Sequence, residues 1–211
     1  HIPDGFISLA TAATTSVVSA GGVGYGLKAT AKKLGEKHVP LMGVMAAFIF
    51  AAQMLNFPIV GGTSGHLIGA ALAAILLGPW TGGLVMSCVL ILQCLVFQDG
   101  GLTALGANIL NMGLIASFAG YYLYRGITSL SGESKNGRLV GGFISAWGSV
   151  FVASIACAVE LAISGTSPIG VVLPVMAGFH TLIGIGEGLI TVAVLNLVLA
   201  ARADLLQLQR I

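Results

Sequence analysis

Long apolar segments, separated by short polar or glycine-rich clusters, constrain this sequence more than any other feature. The chain of 211 residues is 56% hydrophobic and only 8% charged, so it has too little polar surface to remain stable in water. In lipid the backbone polar groups must pair within the protein, which leaves helices or a closed barrel. The segments lack the apolar–polar alternation of barrel strands. The sequence therefore predicts an all-α membrane protein.

The number of helices follows from their length, because about 20 apolar residues cross the hydrocarbon core. Turn and charge clusters divide the chain into about seven candidates within a single integral membrane domain, residues 1–211. The third candidate is short, and an alternative interpretation with six spans makes residues 65–97 a re-entrant pair. The predicted helices cover residues 6–31, 39–56, 65–78, 81–97, 103–126, 138–163 and 176–201.

The basic residues predict the orientation of the bundle, because Lys and Arg collect in short cytoplasmic loops. All 9 fall between helices one and two, between helices five and six, or after helix seven. This places the C-terminus and a loop at about 127–137 in the cytoplasm. The N-terminus is then outside, with segments 58–64, 97–103 and 164–175. The net charge of +2 is too small to indicate a nucleic-acid partner.

Helix one carries small residues at every fourth position, which together form one stripe on its surface. Small residues let helix backbones approach closely, within a bundle or between subunits. The spacing leaves two interpretations open, internal packing and a docking face for another membrane subunit. The stripe consists of Ser8, Ala12, Ser16, Ala20 and Gly24.

Histidines on the predicted outer side are candidates for metal binding, because ionisable groups at a bilayer edge are usually functional. His1 can chelate through its own amine and ring nitrogen. A preceding initiator Met would instead provide a claw of amine, amide nitrogen and imidazole. His66, in the glycine-rich loop 61–67, supplies a further nitrogen. The alternative for this loop is a helix junction capped by Thr63 or Ser64.

Other polar residues are predicted to support these ligands. Asp4 can hold the amino terminus or cap the first helix. His180 and Glu187 are two turns apart on one helix face, where they can form a buried polar network or position the metal ligands by hydrogen bonds. Asn108 and Asn111 also share a helix face, and we expect them to cross-link helices.

Four motifs, in the same order along nearly the whole chain, resemble the CbiM/NikM family: HIPDG at the N-terminus, GGTSGHL, ALGANILNMG and HTLIGIGEGLIT. The family comprises the substrate-binding membrane subunits, or S components, of energy-coupling factor importers for cobalt and nickel. The resemblance implies a seven-helix S component whose N-terminus enters the bundle from outside to complete a square-planar metal site. Its ligands would be an N-terminal amine, the amide nitrogen and imidazole of His1, and the ring of His66.

The resemblance also implies the partners of the chain. ATP hydrolysis would reside on a separate pair of ATP-binding cassette ATPases, joined to this chain by a coupling transmembrane subunit, and a small auxiliary membrane subunit can accompany them. The lack of a Walker motif in the sequence agrees with this. The chain would lie in the inner membrane of a prokaryotic cell, with the small-residue stripe of helix one as the candidate docking face.

Two other functional classes compete with metal import by such a subunit. A proton-coupled secondary transporter would use Glu160 or Glu187 and should show internal repeats, which do not stand out here. A membrane metalloenzyme needs an open ligand position and a base, and a planar four-nitrogen site offers neither. Planar nitrogen ligands suit Ni(II) better than Co(II), so the sequence favours nickel as the transported ion.

Overall fold

The computed structural model describes residues 1–31, 38–59, 63–132 and 134–210, with side chains to residue 206. Within these ranges seven helices form the bundle, which confirms the prediction of an all-α membrane fold, and a two-stranded hairpin joins them. The helices are α1 (Leu9–Thr30), α2 (His38–Gln53), α3 (Ala70–Leu77), α4 (Pro79–Phe97), α5 (105–130), α6 (Lys135–Ile163) and α7 (Ile169–Ala201); the strands are β1 (Phe57–Ile59) and β2 (Thr63–Gly65); a 3₁₀ helix, Ala203–Arg210, follows α7.

Helices α4, α6 and α7 are each long and apolar enough to cross a bilayer, judged by length and composition of the described residues. Helix α3 differs, because its 8 residues rise only about 12 Å against a hydrocarbon core of about 30 Å. All of its side chains are buried, so neighbouring helices enclose it. The predicted helix over 65–78 is therefore wrong at its start, where residues 66–69 lead from β2 into α3.

Helix ends also differ from the predicted boundaries. Helix α7 begins before residue 176 and contains Pro174, which membrane helices tolerate. Helices α5 and α6 both extend into segment 127–137, and Ser134 caps α6 by accepting a hydrogen bond from the Gly137 N–H. A polar cluster can thus form the first turn of a helix, as it does in α6.

The core is centred on α3 and divides into two clusters. In the larger cluster α3 packs against Ile49 of α2, Met86 of α4 and Val150 of α6, and Leu206 of the 3₁₀ helix closes one end. The smaller cluster lies around Ile2 and joins the N-terminal segment to strand β1 and helices α6 and α7. The first residues of the chain are therefore part of the folded core.

Helix α1 packs closely against α5. The Ser19 hydroxyl donates to the carbonyl of Gly106 at 2.6 Å, and a Cβ built on Gly106 would lie 2.5 Å from the Cα of Ser16. One end of the predicted stripe thus packs inside the molecule, with Ala12 buried. The exposed members of the stripe are Ser16, Ala20 and Gly24.

Some predictions concern residues that lie outside the described ranges or whose side chains are not described. They are the basic residues Lys32, Lys33, Lys37 and Arg210 of the predicted cytoplasmic side and the glycines Gly61 and Gly62 of the histidine loop.

Candidate metal site

The N-terminal segment, residues 1–6, enters one end of the bundle and pairs with the backbone around it. The carbonyl of His1 accepts hydrogen bonds from the Ser64 N–H at 3.2 Å and the Thr63 hydroxyl at 2.9 Å. The carbonyl of Ile2 accepts from the Gly101 N–H at 2.9 Å. The predicted capping role of Thr63 and Ser64 is wrong, because both residues lie in β2, before α3 begins.

Asn108 holds the N-terminal segment from the side of α5. Its amide oxygen accepts from the Ile2 N–H at 2.8 Å, and its amide nitrogen donates to the Ile2 carbonyl at 3.0 Å. The prediction that Asn108 links two helices is therefore wrong, whereas Asn111 does link α5 to α6, through a 2.6 Å hydrogen bond to Glu160. A π-helical turn, Ile109–Ile115, begins directly after Asn108; such turns are frequent at functional sites.

Asp4 ties the same segment to the loop before α5. One carboxylate oxygen accepts from both the N–H and the hydroxyl of Thr103, at 2.7 Å and 2.6 Å, and these hydrogen bonds lower the pKa of the Asp4 carboxyl. Asp4 does not cap α1, because Ser8 is the capping residue. The Thr166 hydroxyl donates to the Phe6 carbonyl. The four segments predicted to lie outside thus meet at one end of the bundle.

The two predicted ligands, His1 and His66, are adjacent and buried. The backbone nitrogen of His1 lies 3.2 Å from Nε2 of His66, and the two rings stack with their centroids 4.3 Å apart. The Nδ1 atom of His66 lies 2.7 Å from the carbonyl of Leu67. Since a carbonyl only accepts, Nδ1 carries the proton, and the unprotonated Nε2 accepts a hydrogen bond from the His1 backbone nitrogen.

Two residues that the sequence analysis did not assign contact the ring of His1. Its Nε2 lies 3.1 Å from the side-chain oxygen of Gln93, and its Nδ1 lies 3.2 Å from a carboxylate oxygen of Asp99. The contact with His1 lowers the pKa of the Asp99 carboxyl. Gln93 is fully buried. The signal in the sequence that could have identified it is a polar amide within an otherwise apolar helix.

Glu187 and His180, predicted as supporting residues, act at different places. The carboxylate of Glu187 accepts from the N–H groups of Ile68 and Gly69, at 2.6 Å and 2.7 Å, and so holds the chain between His66 and α3. His180 donates from Nδ1 to the Met176 carbonyl within α7. Across the described residues no hydrogen bond joins His180 to Glu187, so the predicted network between them is absent.

A small cavity of about 30 Å³ lies beside the two histidines. Its wall includes His1 and His66 from one side and residues of α5, α6 and α7, among them Asn111, Cys157 and His180. In the described part of the chain, no three His, Cys, Asp or Glu side chains are grouped closely enough to hold a metal ion. The candidate site therefore consists of two imidazoles and backbone nitrogen.

A buried, nitrogen-rich site at one end of an apolar helical bundle is typical of a membrane subunit that binds a small cation for transport. Comparison with known proteins identifies the kind of subunit. The chain matches the CbiM family, the cobalt uptake substrate-specific transmembrane region, over residues 1–205, and it belongs to this family.

Relatives and a solved structure agree with this assignment. The chain is 46% identical over 209 residues to a putative fused nickel transport protein NikMN of Archaeoglobus fulgidus, covering 98% of this chain and 68% of the relative. It is 40% identical over 207 residues to a putative metal transport protein of Haloquadratum walsbyi, covering 97% and 92%. A crystal structure of a truncated transition metal transporter superposes with a TM-score of 0.85 at 35% identity, covering 95% of this chain and 98% of that one.

The chain is accordingly the substrate-specific transmembrane component for nickel or cobalt uptake in transport of the energy-coupling factor type. It is a multi-pass membrane transport subunit and not an enzyme. The family assignment also decides against the secondary transporter and the metalloenzyme considered above.

Proposed function

We propose that this subunit captures Ni(II) between His1 and His66 at the outer face of a prokaryotic cell membrane and presents it for ATP-driven import. The observation that carries the proposal is the 3.2 Å separation between the His1 backbone nitrogen and His66 Nε2. Two neighbouring ligands of a square-planar ion, with metal–nitrogen bonds of about 2.0 Å, lie about 2.8 Å apart. A shift of a few tenths of an ångström therefore suffices for both nitrogens to bind one ion.

The remaining ligands come from the same short segment. Nδ1 of His1 forms a chelate with the His1 backbone nitrogen once the ion replaces its contact with Asp99. The Nε2–H of the ring then donates to Gln93, an arrangement that orients a metal-bound imidazole. If a residue precedes His1, its amine takes the fourth position and the His1 nitrogen binds as a deprotonated amide.

Nickel is preferred to cobalt because of this nitrogen set. Ni(II) accepts a planar field of four nitrogens readily, and selectivity among divalent ions arises from geometry more than from affinity. The name of the Archaeoglobus fulgidus relative, a nickel transport protein, points the same way. Co(II) remains the competing substrate, since the family takes its description from cobalt uptake.

The orientation and the partners belong to the same proposal. The excess of Lys and Arg at the other end of the bundle favours an outward-facing site and a cytoplasmic C-terminus. Uptake would require a coupling transmembrane subunit and a pair of ATP-binding cassette ATPases. The relative from Archaeoglobus fulgidus is named as a fused protein, NikMN, which supports the presence of an auxiliary membrane subunit. We assign the contact with the coupling subunit to the exposed face of α1 at Ser16, Ala20 and Gly24.

Metal binding by the purified chain tests the capture site. We expect intact protein to bind Ni(II) with the d–d absorption of a planar complex. His66→Ala should abolish that spectrum, and so should an N-terminal tag of many residues, which moves the free amine away from the site. His38→Ala is the matched control, because His38 begins α2 and lies outside the site. Equal binding by the extended protein would show that the N-terminal nitrogens are not ligands.

A further inference from the structure

His180 is the third histidine on the wall of the cavity, and nothing in the capture site uses it. Its side chain is buried, 7% exposed. Nδ1 lies 2.8 Å from the Met176 carbonyl and therefore carries the ring proton, because that carbonyl can only accept. Nε2 is left with a free lone pair, and the hydrogen bonds of the described residues include none to it.

His66 has the same tautomer, because a backbone carbonyl also fixes its proton on Nδ1. A hydrogen bond from the second ring nitrogen is the usual way in which proteins orient an imidazole toward a metal and raise its basicity. His66 and His180 line one cavity but reach it from different elements, the chain before α3 and the middle of α7. In both residues Nε2 is therefore the unprotonated nitrogen that can bind a metal ion.

Weaker metal ligands line the same cavity. Cys157 and the thioethers of Met112 and Met176 provide sulfur, and Cys157 is a free thiol. Asn111 is also on the wall, and its amide oxygen is buried without a hydrogen-bond partner, while its amide nitrogen binds Glu160. One imidazole with thiol, thioether and amide groups makes a mixed set, weaker than four nitrogens in a plane.

We propose that His180 provides, through Nε2, a second and weaker binding position for the transported divalent cation, which the ion occupies after it leaves His1 and His66. The inference rests on the proposed capture site. A planar site that binds tightly releases its ion slowly, and a neighbouring weak position lowers the barrier to departure, as successive sites do in ion pathways. His66 and His180 lie on the wall of the same cavity.

Equilibrium dialysis of the full chain against Ni(II) tests the second position. In His66→Ala, which lacks the capture site, we expect one ion per chain to remain, bound at least about 10-fold more weakly than in the intact protein, a difference of about 1.4 kcal/mol. Adding His180→Gln, which retains a donor for the Met176 carbonyl but has no imidazole, should remove this ion. Adding His38→Ala instead should leave it in place.

The outcomes separate this inference from the capture site. Binding of one ion by the intact chain and none by His66→Ala overturns the second position and leaves the capture site standing. Equal binding by His66→Ala with and without His180→Gln also overturns it. If the intact chain binds no Ni(II), the capture site itself fails.

Uptake by cells that contain the complete transporter gives a second readout. We expect His180→Gln alone to lower the maximal uptake rate severalfold while the Ni(II) concentration for half-maximal uptake stays unchanged, because the capture site is intact. An unchanged maximal rate would show that the ion does not pass His180.

Discussion

At the scale of single residues, the site depends on side chains that bind backbone atoms of distant segments. Asn108 satisfies both polar groups of Ile2, and Glu187 satisfies two N–H groups ahead of α3. Neither side chain reaches the proposed metal position. Each one acts by holding the backbone on either side of a ligand, so its loss should disturb binding through position alone.

Asn108→Leu should weaken metal binding and stability together. The substitution leaves the buried Ile2 N–H without its acceptor and removes one of the two donors to the Ile2 carbonyl, which keeps the Gly101 N–H. An unpaired buried group costs about 1–3 kcal/mol. We expect a lower melting temperature in detergent and weaker Ni(II) binding, measured by calorimetry. Asn196→Leu, at an exposed position of α7, is the matched control. Unchanged Ni(II) affinity in Asn108→Leu would show that Asn108 does not position the N-terminal segment.

Glu187→Ala should destabilise the chain between His66 and α3. Two N–H groups lose a carboxylate that accepts from both, and the cost is about 1–3 kcal/mol for each group left unpaired. Glu187→Gln retains one acceptor and should lie between the wild type and Glu187→Ala in thermal stability and in Ni(II) affinity. The order wild type, Gln, Ala is the measurable result, and a Gln variant as unstable as Ala would contradict it.

At the scale of elements, short and irregular segments build the site and long helices support it. Two π-helical turns lie at residues that contact the N-terminal segment. The turn Gln93–Phe97 in α4 begins at Gln93, and the turn Ile109–Ile115 in α5 follows Asn108. Gly69 directly precedes α3, and its φ of 80° and close approach to Ile49 both require glycine. Departures from regular helix geometry therefore fall where the ligands are positioned.

Gly106→Ala should disrupt the packing of α1 on α5. The new methyl group would meet the backbone of Ser16, which cannot turn away as a side chain can, and overpacking of this kind costs about 1–3 kcal/mol. Gly126→Ala in the same helix meets nothing within 4 Å and should be neutral or stabilising. Thermal unfolding of the two variants compares them directly, and equal stability would argue against a tight α1–α5 contact.

At the scale of the whole molecule, four segments far apart in sequence converge at one end of the bundle. The N-terminal segment touches Ser64, Gly101, Thr103 and Thr166. The distribution of Lys and Arg predicts that these segments lie on the same side of the membrane, and their common location agrees with that prediction. The site is consequently built at an end of the molecule where the sequence places few charges.

Labelling of single cysteines tests which side of the membrane this end faces. Leu102, 63% exposed, lies just before α5, and Leu130, 91% exposed, is its last residue. Helix α5 is about 39 Å long. In a background with Cys88, Cys94 and Cys157 replaced by alanine, a membrane-impermeant maleimide should label Leu102→Cys in intact cells and Leu130→Cys only after permeabilisation. The reverse pattern would invert the proposed orientation.

The sequence by itself determined the membrane class and the number of helices, and it singled out the two histidines that we propose as metal ligands. Hydropathy and charge are local properties, so they can be read without knowing which residues are neighbours in space. Only the tertiary structure decided how His1 is held. Gln93, Asp99 and Asn108 lie about ninety or more positions from it along the chain, and no local pattern pairs residues at that distance. The short α3 likewise follows from the closed bundle, which supplies the burial that an isolated helix of 8 residues would lack.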